Sequence, residues 1–299
     1  MKARLREKLL YLFWQNDPRH FQIAVLSLLL VYGIGWLEFD IGWAQILTLL
    51  TTALTTQYVG TQIFKLSSLD PRSPLISGLS LCLLLRTEGL FLMSVTAAVT
   101  ILSKFILKWN NKHVFNPTNF GLVAMMLLTD QVWVSPAQWG SMVFSGFFLA
   151  SLGGLVIHRA ERSDVTYAFL FSYMTILFMR ALWLGDPLAI PLHQLQNGAF
   201  LLFAFYMISD PKTTPNSRAG RVLFALLVAT GAAYIQFGLF RNNGMLWSLA
   251  FFSSFVPIID RLLPGHRYEW TISNLTKKVK GVAYETDRII PSHFARPMG

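Results

Sequence analysis

The chain has 299 residues, of which 54% are hydrophobic and 13% charged, with a mean hydropathy of +0.47, a composition that excludes an ordinary water-soluble core and places it among membrane proteins. The formal charge of +10 does not argue for nucleic acid, because Lys and Arg that flank apolar spans are what the positive-inside rule requires. One cysteine, Cys82, inside an apolar run, excludes an intrachain disulfide, a four-cysteine zinc site and a self-contained iron–sulfur cluster, and reads as a small packed hydrophobe.

In chain order, a charged N-terminal segment, residues 1–20, comes first, with basic residues from Lys2 to Arg19 and no small-residue cleavage site, so it is expected to remain in place. A transmembrane domain, residues 21–263, follows. About 20 apolar residues cross ~30 Å of hydrocarbon, and the apolar runs predict spans at Phe21 to Leu37, Trp43 to Phe64, Leu75 to Leu85, Leu90 to Leu107, Asn116 to Leu128, Gly140 to Ile157, Val165 to Leu184, Asn197 to Ile208, Gly220 to Phe237 and Gly244 to Leu262. The third, fifth and eighth are too short to cross alone and are expected to be half-helices or spans completed by irregular backbone. The basic tail, residues 264–299, with Lys277, Lys278 and Lys280 close together, is expected on the cytoplasmic membrane surface, where anionic lipid attracts such clusters.

Loop charges support this count. With ten crossings, 22 of the 25 Lys and Arg fall on the side of the N-terminus, leaving Arg86, Arg180 and Arg241 at the other end. That basic side is the cytoplasmic one. Arg86, Glu88 and Arg180 then lie near external helix ends, where snorkelling accounts for them. The fold class predicted is an all-α polytopic membrane protein of about ten helices, arranged as two inverted five-helix repeats over residues 21–129 and 140–263. The short third and eighth spans correspond in the two repeats, and related strings precede them, Asp70-Pro71-Arg72-Ser73-Pro74 and Asp186-Pro187-Leu188-Ala189-Ile190-Pro191. Paired interrupted segments of this kind point to a central site.

Irregular backbone at membrane depth survives only where protein buries it or a cavity accepts it, so the polar segments beside short spans are the candidate site. Asn116-Pro117-Thr118-Asn119 opens the fifth span: Pro117 suits the first turn, Asn116 can cap it, and Asn116 and Asn119 share a face whose amides suit the carbonyl and imide edge of a flavin or quinone. A helix cap and nothing more is the plainer alternative. Asp210-Pro211-Lys212-Thr213-Thr214-Pro215 ends the eighth span, with Asp210, Thr213 and Thr214 as short polar groups in a proline-fixed turn, or simply a connecting loop. The external loop Gly185 to Gln196 holds His193 and two prolines. No histidine lies mid-span, which argues against haem, and no P-loop, HExxH or GxSxG motif is present.

Phe115-Asn116-Pro117-Thr118-Asn119-Phe120-Gly121-Leu122-Val123, Ile208-Ser209-Asp210-Pro211-Lys212-Thr213-Thr214-Pro215 and the final Phe255-Val256-Pro257-Ile258-Ile259-Asp260 resemble the signatures of the RnfD/NqrB family, in the same order and over nearly the whole helical region. The resemblance implies a subunit of a flavin-based redox complex in the bacterial inner membrane, with both termini cytoplasmic, that moves electrons with other subunits rather than catalysing alone. In such relatives one flavin is esterified to a threonine of an external Ser-Gly-Ala-Thr-like motif before the eighth span, and a riboflavin lies by the Asn-Pro segment. Here Asp186 to His193 contains no serine or threonine, so the expected cofactor is a noncovalent flavin, riboflavin or FMN, at Asn116 and Asn119. The expected partners are membrane lipid and other electron-transport subunits, including a flavinylated or haem protein. Two alternatives stay open: a urea-transporter-like channel with the same inverted plan, and a scaffold subunit that has lost its cofactor.

Overall fold

The computed structural model describes residues 18–36, 38–66, 69–135 and 163–268, all within one unit, Pro18–Tyr268. The predicted sixth span, Gly140 to Ile157, lies outside the described residues, as do most of the N-terminal segment and the tail lysines Lys277, Lys278 and Lys280.

The first two helices are α1 (Pro18–Trp36) and α2 (Trp43–Ile63). Helix α2 is rich in threonine, yet Thr48, Thr51, Thr55 and Thr61 each return the hydroxyl to the carbonyl one turn back, at 2.6–2.8 Å, so those four hydroxyls are satisfied within the helix. Helix α3 (Arg72–Leu84) has 13 residues and runs directly into strand β1 (Leu85–Thr87). Helix α4 (Leu90–Ile106) leads through a hairpin of β2 (Lys108–Trp109) and β3 (Lys112–His113) to α5 (Pro117–Leu128), 12 residues long and followed by strand β4 (Val132–Val134).

The short third and fifth helices are each followed by a three-residue strand rather than by the irregular backbone expected. Strands β1 and β4 pair antiparallel, Leu85 opposite Val134 and Thr87 opposite Val132, and those four residues are buried. A helix of this length covers about 20 Å and three extended residues add about 10 Å, which together match the ~30 Å of a hydrocarbon core. Ladder bonds satisfy the backbone groups that face the partner strand. Arg86 does not snorkel as expected: its guanidinium folds back to donate to the carbonyls of Cys82 (3.2 Å) and Leu85 (2.7 Å), which the end of α3 would otherwise leave without partners. Arg180 lies 3.5 Å from Asp186 and stacks 4.3 Å from the Phe237 ring.

The second half contains α6 (Ser163–Leu184), α7 (Ala189–Leu195), α8 (Gly198–Leu202) continuing as a π turn over Phe203–Met207, α9 (Arg218–Ala233) continuing as a π turn over Tyr234–Gly238, α10 (Gly244–Ser253) and α11 (Val256–Leu262). Among the described residues α6 and the continuous α9 with its π turn, Arg218–Gly238, are long and apolar enough to cross a membrane by themselves, and α10 and α11, bent by 53° at their junction, are long and apolar enough only when taken together. The predicted span Gly244 to Leu262 is therefore broken rather than straight. Pro257 is the cause, since it has no N–H and its ring would collide with the carbonyl of Ser253 in a continuous helix. The expected loop Gly185 to Gln196 also differs, because it contains α7, a seven-residue helix ending at Leu195.

Helix α2 packs on α4 as α6 packs on α9, α4 on α5 as α9 on α10, and α5 meets α10. Small residues set two of these crossings. A Cβ on Gly121 of α5 would lie 1.8 Å from Oγ1 of Thr100 in α4, and one on Gly231 of α9 would lie 2.5 Å from Oγ of Ser248 in α10. Ser248 also donates to the Val228 carbonyl at 2.8 Å, across the same crossing. Phe169, Tyr173, Phe200 and Phe203 stack between α6 and α8, and Cys82 is buried as a packed hydrophobe.

Candidate functional site

Asn116 is the N-cap of α5: its Oδ1 accepts from the Asn119 backbone N–H at 3.1 Å, and Pro117 occupies the first turn. The same side chain does more than cap. Its Nδ2 donates to Oδ2 of Asp210 at 3.2 Å, joining segments 94 residues apart. Asn119 is 1% exposed and donates through Nδ2 to the Leu246 carbonyl of α10, also at 3.2 Å. Thr118 is buried between them.

The Asp210 to Pro215 segment folds as a turn around the aspartate. The Asp210 carbonyl accepts from the backbone N–H groups of Thr213 and Thr214, both at 3.1 Å, and from the Thr213 hydroxyl at 3.3 Å. Oδ1 of Asp210 accepts from the Lys212 N–H at 3.0 Å. Burial pushes the Asp210 carboxyl above the usual carboxylate range, against the opposing pull of the Lys212 N–H and charge, the Asn116 amide and the Lys104 ammonium. Of the seven residues singled out from sequence, Asn116, Asn119, Asp210, Thr213 and Thr214 share one hydrogen-bonded junction between α5, the 210–215 turn and α10, and Pro117 and Thr118 lie buried in the first turn of α5 beside it. Two polar atoms there, Oδ1 of Asn119 and Oγ1 of Thr214, are enclosed without a hydrogen-bond partner among the described residues.

Sequence reasoning missed Lys104. It lies on α4 one turn beyond Thr100, which touches α5 at Gly121, and is only 6% exposed. Its Nζ donates to the Ser73 hydroxyl at 3.1 Å, and the carboxylates of Asp70 and Asp210 act on it through space. Read as a flanking loop charge, it is instead a buried ammonium beside the junction. Asp70 itself pairs with Arg19 and Arg72; burial would raise its carboxyl, but the Arg72 hydrogen bonds and the Arg19 charge hold it at about 2.

A second polar group adjoins this end of the bundle. Lys112 pairs with Asp260 at 2.6 Å and donates to Oδ1 of Asn216 at 3.1 Å, while the Asn216 N–H donates to the other oxygen of Asp260 at 2.7 Å. Arg221 of α9 grips Asp164 of α6 through Nε and one terminal nitrogen at 2.5–2.8 Å. A cavity of about 190 Å³ opens beside Lys112, lined also by Trp109, His113, Asp260, Arg261 and Arg267. The His113 imidazole is held neutral, pushed down to about 3 by burial and by the positive charges of Lys108, Lys104 and Lys212. The signal for this group lay in the final Phe255 to Asp260 string, whose aspartate sits at the end of an apolar helix and needs a cation.

These features define a helical membrane protein with a buried amide, carboxylate and hydroxyl junction where its short helices end. Residues 41–269 match the NQR2, RnfD, RnfE family, and the chain belongs to that family. It is similar to an ion-translocating oxidoreductase complex subunit of Alcanivorax borkumensis, 32% identical over 46% of this chain and 39% of that protein. The proteins of the same name from Psychromonas ingrahamii and Methanosarcina acetivorans are each 30% identical, over 44% and 38% of this chain and 38% and 35% of their own lengths. The matched stretches therefore span about two-fifths of these relatives.

Proposed function

We propose that this protein is an electron-transport subunit of a membrane oxidoreductase complex, holding a flavin noncovalently at the junction of α5, the 210–215 turn and α10. The observation that carries this reading is the pair of enclosed polar atoms without a partner among the described residues, Oδ1 of Asn119 and Oγ1 of Thr214, in a junction ordered by the Asn116 to Asp210 and Asn119 to Leu246 hydrogen bonds. Each such atom costs about 1–3 kcal/mol when left without a partner. An amide oxygen to accept from a ring imide and a hydroxyl to donate to a ring carbonyl fit an isoalloxazine edge. Asn116 and Pro117 hold the α5 terminus in position, Asp210 fixes Asn116, and Thr118 and Thr213 close the walls. When bound, flavin supplies one- and two-electron chemistry, and this chain's residues supply its orientation and exclude water. Asp186 to His193 offers no serine or threonine for an ester, in keeping with a noncovalent cofactor.

The same reading gives the chain two inverted five-helix repeats, with the predicted sixth span as the first helix of the second repeat. The matched pairings α2 with α4 and α6 with α9, and α4 with α5 and α9 with α10, favour it. So does the gathering of Arg19, Arg72, Lys104, Lys112, Lys212 and Arg221 around one set of helix ends, where they reach Asp70, Asp210, Asp260 and Asp164. By the positive-inside rule that end faces the cytoplasm of a bacterial inner membrane. Partner subunits would donate and accept the electrons.

The test is the absorbance and fluorescence of detergent-purified protein, before and after acid precipitation, in wild type and Asn116→Ala/Asn119→Ala. A flavin spectrum that leaves with the supernatant and is absent from a folded double variant is expected. Colourless wild type, even with flavin supplied during expression, would turn the reading to the channel or scaffold alternatives.

A further inference from the structure

We propose that the cavity beside Lys112 is a binding site for the phosphate of an anionic glycerophospholipid. At about 190 Å³ it is below the ~300–1,000 Å³ of pockets that enclose drug-sized ligands, so it suits a headgroup rather than an aromatic cofactor. Its charges favour an anion. Asp260 is the one carboxylate among the lining residues and is neutralised by Lys112 at 2.6 Å and by the Asn216 N–H at 2.7 Å, which leaves Arg261 and Arg267 as positive charge in the lining with no carboxylate partner among the described residues. His113 adds none, because its ring is neutral.

The two arginines are held in place. Arg267 donates to the carbonyls of Asn110, at 2.9 Å, and Asn111, which fixes its guanidinium over the hairpin. Arg261 lies over the Trp109 ring, its Cζ 5.5 Å from the centroid, a cation–π contact that does not use up its N–H donors. The surroundings select a lipid over a free ion. Val256 and Pro257 give the cavity an apolar wall, and the elements that flank it present bare hydrocarbon, Leu262 at 74% exposure and Ile106 at 64%, with Ile258 and Trp109 also exposed. Acyl chains would lie along those side chains while the phosphate met the arginines. Basic pockets at the ends of transmembrane helices, next to an anionic leaflet, take headgroups in this way.

The experiment is native mass spectrometry of the full chain, delipidated in neutral detergent and titrated with phosphatidylglycerol, phosphatidylcholine or inorganic phosphate. Wild type is expected to bind one phosphatidylglycerol at least tenfold more tightly than phosphatidylcholine, with no competition from millimolar phosphate, and Arg261→Gln/Arg267→Gln to lose that preference. Equal binding of the two lipids, an unchanged preference in the variant, or competition by phosphate would overturn the proposal, the last by making this a site for the free ion. If the double variant does not fold, brominated phosphatidylglycerol replaces it. That lipid should quench part of the wild-type fluorescence, and the quenched part should be missing in Trp109→Phe; equal quenching in both proteins would sink the idea.

Discussion

Asn116 carries two separable bonds, and substitutions divide them. Asn116→Ala removes the cap on the Asn119 N–H, worth about 0.5–2 kcal/mol, and strips Asp210 of an amide donor in a buried setting, worth roughly 1–3 kcal/mol. Asn116→Ser keeps a capping oxygen, but its short side chain does not reach Asp210, so only the second loss applies. At roughly 2–4 °C per kcal/mol for a chain of this size, the thermal midpoint in detergent should fall by about 5–10 °C for alanine and about half as far for serine. Asn116→Asp keeps the cap and suits the helix terminus, yet it sets a second carboxylate opposite Asp210 in place of an amide now at 3.2 Å. Its deficit should be largest at neutral pH and shrink on acidification, as the pair takes up a proton. The assay is fluorescence-monitored unfolding of purified protein, with a double-mutant cycle of Asn116→Ala and Asp210→Asn. A coupling of more than about 0.5 kcal/mol is expected for groups in contact. Strict additivity, or an alanine variant as stable as wild type, would refute the link between the two segments.

Three further outcomes follow from the packing and charge pattern. Gly121→Ala drives a methyl into the Thr100 hydroxyl and to 3.1 Å from its Cα, so unfolding should come earlier by about 1–3 kcal/mol, with only partial recovery in Thr100→Ala/Gly121→Ala; full stability in the single variant would show that α4 and α5 do not approach so closely. His113 is held at about 3 in the fold and titrates near 6.5 when unfolded, so the unfolded chain gains a proton first as pH falls. Its contribution is intact above about 6.5 and is lost as pH drops through 3, and His113→Asn should flatten the unfolding midpoint across that window, measured from pH 7 to pH 4. Arg221→Gln leaves Asp164 without its fork and should cost about 3 kcal/mol, near the low end for buried pairs because both groups keep some solvent contact; recovery in Arg221→Gln/Asp164→Asn is the check.

The helical spans were legible because uninterrupted apolar runs have few other uses. Trp43–Ile63 and Ser163–Leu184 begin and end within two residues of the positions read from sequence. What failed were features settled by partners distant in the chain. Leu85-Arg86-Thr87 is too short to show strand alternation, and it becomes a strand because Val132-Trp133-Val134 lies beside it. Pro257 was visible, but the apolar run through it masked the break. In the site, polar residue types beside short spans drew attention to both segments, whereas the Asn116 to Asp210 bond depends on how α5 and α8 end in space. Lys104 was misread for the same reason: a lysine two residues before a helix end is ordinary, and only the placement of α3 and its Ser73 encloses it.

The π turn at Phe203–Met207 adjusts phase. Each added residue in a helix advances the following side chains by about 100° around the axis. The wider turn, closed by the Ile208 N–H on the Phe203 carbonyl at 3.0 Å, accommodates one residue more than an α turn would. Residues up to Leu202 can therefore keep their packing on α6 while Asp210 is turned toward Asn116. A single-residue insertion in an ancestral helix would have had this effect at once, re-aiming a carboxylate without disturbing the helices already packed around it. Later substitutions in Phe203–Met207 that kept the chain length would then leave that aim unchanged, whereas loss of one residue would swing Asp210 away from its amide.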